Sequence, residues 1–135
     1  MSKVKAKSIE NFKAAHLLYN KGMHAASVHN AYYSILQISK HILHHKCYVS
    51  YSKQKKESKN GYGSHNYIIG EIENNLTSRE EQDLFDSYDD KMSEMKRMRV
   101  LADYEDAEIT KDEAQACIDY ADELLTDLKE CYNIL

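Results

Sequence analysis

The sequence predicts an all-α protein, a bundle of four main helices plus one short helix. Three observations carry this. The 135 residues include no proline and only four glycines, the residues that break or weaken helix interiors. Apolar residues recur at steps of three and four along most of the chain, the spacing of one helix face. Two Ser/Thr-x-x-Glu boxes, Ser78 with Glu81 and Thr110 with Glu113, have the spacing of helix starts.

In chain order, Val4 to Asn20 reads as the first helix, with Ile9, Phe12 and Tyr19 on one face and Lys21-Gly22 as its stop. The second runs from about His24 to His45. It opens on Ala25, Ala26 and Ala31, which admit a close neighbour, and continues through Val28, Tyr32, Ile35, Ile38 and Ile42. The short link between the two implies an antiparallel hairpin. From Cys47 to Gly63 the periodicity collapses into lysines among Ser, Gln and Asn, which reads as a long mobile basic loop. Ser64 to about Asn75 is the short helix. The Ser78 box opens a long helix to Tyr104, and the Thr110 box opens a last one whose stripe reaches Leu135.

Length fits one domain over 1–135, and 42% apolar with 30% charged residues is ordinary globular composition. No apolar run approaches a membrane span, and the basic N-terminus lacks a signal peptide's apolar stretch. Cys47, Cys117 and Cys131 lack close-paired spacing and read as reduced thiols of a cytoplasmic protein, with no metal site. The net charge of −4 hides alternation. Residues 91–99 hold four basic side chains against one acidic, whereas 103–130 hold eleven acidic against two Lys. Basic blocks of this kind meet phosphates, the acidic blocks of a second copy, or simply solvent.

The chemistry concentrates at Lys96-Arg97-Met98-Arg99-Val100-Leu101-Ala102-Asp103-Tyr104. Leu84, Tyr88, Met92 and Met95 form a helix stripe that continues onto Arg99. Arginine cannot shed its charge, so on an apolar seam it needs an anion: Asp103, a second protomer, or a phosphate. His41 and His45 have the spacing of a helical metal pair, or of histidines drawn to a helix C-terminus. His65 is a candidate acid or base. Tyr48, Tyr51, Tyr62 and Tyr67 interleave with Lys55 and Lys56, a composition suited to single-stranded nucleic acid or to a solvated loop. Gly61 and Gly63 follow no strand and make no phosphate fingerprint.

Arg99-Val100-Leu101-Ala102-Asp103-Tyr104, with Arg97 before it, resembles the R-x-x-A-D-Y signature of HEPN domains, the higher-eukaryote and prokaryote nucleotide-binding family. Gly22-Met23-His24-Ala25-Ala26 followed by Ala31-Tyr32-Tyr33, and the closing Thr110-Lys111-Asp112-Glu113-Ala114, are similar to the family's second and last helices. The resemblance implies an up-and-down bundle forming a two-fold homodimer that binds nucleotide, RNA or a partner protein at its cleft. It implies toxin–antitoxin or defence systems, with a nucleotidyltransferase as partner and no cofactor. Active members are metal-independent endoribonucleases with an R-x(4–6)-H motif. Carried over, Arg99 grips the phosphate, with Asp103 and Tyr104 beside it as catalytic candidates and Arg97, Lys96, His65, Lys55 and Lys56 as binding candidates. The motif's histidine position holds Tyr104, and no histidine lies between 66 and 135. A phenol is a poor base at neutral pH, so the fold carries over better than the catalysis. A purely structural dimerisation module is the remaining alternative.

Overall fold

The computed structural model describes residues 2–58 and 64–135. Six helices form among them: α1 (Lys3–Asn20), α2 (His24–Lys46), α3 (Tyr51–Glu57), α4 (Ser64–Ser78), α5 (Gln82–Tyr104) and α6 (Lys111–Cys131). No described residue is in a strand. The all-α bundle expected from periodicity is what forms. None of these helices is long and apolar enough to cross a membrane.

α2 is the hub, touching each of the other five helices. A helix packed on several sides cannot keep a single apolar stripe, and α2 accordingly buries Val28, Ala31, Tyr32, Ile35, Leu36, Ile38, Ile42 and Leu43 around much of its circumference. Its seam with α1 is made of small residues. Ser8 Oγ donates to the Ser34 carbonyl at 2.6 Å, and Ser27 Oγ to the Ala15 carbonyl at 2.9 Å. Each hydroxyl there is buried but bonded, which removes the penalty of an unpaired polar group. Between the two helices the chain turns at Gly22, whose φ of +76° is costly for any residue with a Cβ. Deeper in, Ser39 and the fully buried Tyr88 of α5 share a hydrogen bond of 2.9 Å.

Four sequence expectations need correction. The stretch 47–63 is not loop throughout, because Tyr51–Glu57 is helical. α3 is too short to show a period, and it docks through a polar anchor. Gln54 is buried, and its Nε2 donates to the carbonyls of Lys40 and Val49 at 3.1 and 2.9 Å. Residues 59–63 of that stretch, with Lys59 and Gly61-Tyr62-Gly63, lie outside the described residues. α4 continues past Asn75, since Ile68, Ile72 and Leu76 keep one buried face to its last turn. Ser78 therefore ends α4 and does not start α5. Its Oγ bonds back to the Asn74 carbonyl, Glu80 takes the left-handed conformation (φ 60°), and Glu81 stands at the N-cap of α5 with no side-chain bond. α6 stops at Cys131, where Asn133 turns left-handed and leaves Leu135 fully exposed. The Thr110–Glu113 box does form, with both of its reciprocal bonds.

Two of the three histidines stand in the last turn of α2, where the helix dipole favours them, and His45 is exposed. His41 is buried against His45, while His44 stacks on Tyr51 at 3.9 Å and accepts its backbone N–H at 2.9 Å. They clamp α3 onto α2. Among the described residues, no group of three or more His, Cys, Asp or Glu is arranged to hold a metal.

Candidate functional site

Three helices bring their polar residues to one open cleft of about 360 Å³. α2 supplies Tyr33, the first turn of α4 supplies Ser64, His65 and Asn66, and the last turns of α5 supply Lys96, Arg99 and Tyr104. Arg99 follows Met92 and Met95 on the buried face of α5, so the stripe that builds the core also delivers the guanidinium to the cleft. Only 7% of the residue is exposed.

Its partners are few. The carboxylate of Asp103, one helical turn on, stands 3.7 Å from the guanidinium. That oxygen is already engaged at 2.8 Å by Nδ1 of His29, whose ring packs on Tyr33. Arg99 Nε is buried and makes no hydrogen bond among the described residues. The remainder of its surroundings is aromatic. The guanidinium carbon lies 5.2, 5.8 and 5.6 Å from the ring centres of Tyr32, Tyr33 and Tyr104, within cation–π range.

The neighbouring groups respond first to burial and then to the charge of Arg99. Burial, then the charges of Arg99, Lys96 and Lys40, push His65 down to about 4, so its ring is neutral at pH 7. Burial and Arg99 also lower Lys96. Burial raises Tyr32 to about 12 against the pull of Arg99, and Tyr33 moves the same way. Tyr32 therefore stays a phenol, and its hydroxyl meets His65 Nδ1 at 3.1 Å. Lys96 donates to Asn66 Oδ1, which ties α5 to the first turn of α4. A concave site with a buried guanidinium, an ammonium and a neutral imidazole suits an anion that also offers a flat face to Tyr33 and Tyr104.

A family model described as HEPN domain matches residues 1–131. The chain belongs to the HEPN family. No curated protein and no solved structure matches it. HEPN domains are known for nucleotide and RNA binding and for toxin and defence roles.

Within this HEPN fold, Arg99, Tyr104, Lys96 and His65 line one cleft, and Asp103 stands beside Arg99 without lining it. Arg97 points elsewhere, paired with Glu94 at 2.6 Å. Lys55 lines a different cleft, and Lys56 is exposed on α3. Sequence reasoning missed His29 and Asn66 altogether. It placed Tyr32 in the core and Tyr33 only within the family's tyrosine pair. Their signal was available in the helical spacing: His29, Tyr32 and Tyr33 are i, i+3 and i+4 on α2 and so share a face.

Proposed function

We propose that residues 1–135 work as one HEPN domain that binds the phosphate of a nucleotide or RNA in the Arg99 cleft. The observation that carries this is the buried, unpartnered Nε of Arg99, on a guanidinium whose Nη1 stands 3.7 Å from a carboxylate that His29 already occupies. An arginine serving only as a structural ion pair would face its carboxylate at charge-assisted hydrogen-bond distance, about 2.7–2.9 Å. Tyr104, 73% exposed at the mouth, offers a ring to a base and a hydroxyl open to modification by a nucleotidyltransferase partner. A homodimer in a toxin–antitoxin or defence system fits the family, and light scattering at twice the 15.7 kDa chain mass checks the dimer.

The test is RNA binding at rising salt, wild type against Arg99→Ala. Steep salt dependence and loss of binding in the variant are expected. Equal binding by both proteins sinks the reading.

His65 favours a second reading, a metal-independent ribonuclease. Its neutral ring lines the same cleft. With the proton on Nδ1 and donated to Tyr32, Nε2 is free to take the 2′-hydroxyl proton as that oxygen attacks phosphorus and the 5′-oxygen leaves. With the proton on Nε2, His65 is instead a donor to bound phosphate. Cleavage in EDTA, lost in Arg99→Ala and His65→Asn, separates catalysis from binding.

A further inference from the structure

A second cleft, of about 550 Å³, adjoins the first, and Ser64 at the start of α4 lines both. Its walls come from four helices: Val4 of α1, Lys40 of α2, Tyr51, Gln54 and Lys55 of α3, and Ile68 of α4. Among the described residues no carboxylate lines it. Lys40 is partly buried and forms no ion pair among the described residues. Burial and the nearby charge of Lys7 lower its pKa, and its own charge reaches His65 in the first cleft. The two clefts therefore share one positive field. Tyr51 is fixed by its stack on His44 and a 3.2 Å bond between its hydroxyl and Ser2. Gln54 uses only Nε2 in holding α3, which leaves its Oε1 as an acceptor.

We propose that this second cleft is a nucleotide subsite contiguous with the first, so that the ligand is a single-stranded oligonucleotide and not a mononucleotide. One phosphate sits on Arg99 and Lys96. The adjoining unit places its phosphate against Lys40 and Lys55 and its base or ribose against Tyr51, Val4 and Ile68. A cation beside an aromatic and apolar wall is the combination that holds single strands without reading sequence. The contrast within the molecule is informative: the cleft at the start of α5 carries Glu81, Asp83, Asp127 and Glu130 and would repel the same ligand. The inference rests on the phosphate reading of the Arg99 cleft.

The test compares a labelled single-stranded RNA hexamer with adenosine monophosphate, titrated into wild type, Arg99→Ala, Lys40→Gln and Lys55→Gln. Lys55 is exposed, so its variant keeps the test alive if Lys40→Gln fails to fold. The expected result is tighter binding of hexamer than of mononucleotide by wild type. Each lysine variant then loses hexamer affinity several-fold, with a salt slope shallower by about 0.7, and loses far less affinity for the mononucleotide. Hexamer affinity unmoved by both lysine variants but abolished by Arg99→Ala overturns the second subsite and leaves the first standing. Binding indifferent to Arg99→Ala overturns both.

Discussion

Replacing Arg99 with Met removes a charge that is buried, bonded to little and stacked on rings that would pack equally against a thioether. Replacing Asp103 with Asn leaves that charge in place without its anion. The first change is expected to alter unfolding free energy by less than about 1 kcal/mol, and the second to cost about 2 kcal/mol, because an uncompensated buried charge is the expensive case. Urea denaturation of the two variants decides it. If Arg99→Met proves the costlier, Arg99 is a structural residue and the ligand reading loses its ground. The sequence made Arg99 itself legible, since helix spacing alone carries it onto the stripe. Its isolation was not legible. That depends on His29, 74 positions away from Asp103, taking the carboxylate first, and no periodicity encodes a contact between two helices.

At the scale of elements, the α4–α5 junction shows how two local signals compete. Ser78 and Glu81 have capping-box spacing, yet the buried face of α4 runs through Leu76 and carries the helix over Ser78. The stop then falls on Glu80, a side chain held at φ 60°. Left-handed backbone costs a non-glycine residue about 1 kcal/mol. Glu80→Gly is therefore expected to raise the melting temperature by roughly 3 °C, and calorimetry would reveal it. A lower melting temperature would mean that the Glu80 side chain makes a compensating contact. Thr110, by contrast, has no upstream helix to absorb it, and its box forms as the spacing predicts. α3 escaped notice for a different reason: a seven-residue helix anchored by one glutamine and a histidine–tyrosine stack leaves no hydrophobic period to read.

For the whole molecule, two histidines couple folding to pH. His41 and His65 are both pushed down to about 4, chiefly by burial, while an unfolded histidine titrates near 6.5. Between those values the unfolded chain binds protons that the native chain refuses, so stability rises with pH across the window. It is complete above about pH 6.5 and is lost as pH falls toward 4. Thermal midpoints should drop between pH 7 and 5, and the drop should shrink in His65→Asn. An unchanged drop in that variant would assign the effect to the α2 histidines, His41 with His45, whose pKa is also lowered. The fold class was the part the sequence carried most openly, because the absence of proline and the apolar stripes act along the entire chain. The cleft needs three helices at once and becomes visible only in their packing.

The ring of tyrosines around Arg99 has an optical consequence. The chain contains eleven tyrosines and no tryptophan, so no indole emission masks the phenols. Three of those phenols face the one guanidinium. Occupancy of the cleft thus alters light that the protein emits by itself, and a ribose phosphate, transparent at the exciting wavelength, can be followed into the site with no dye on either molecule.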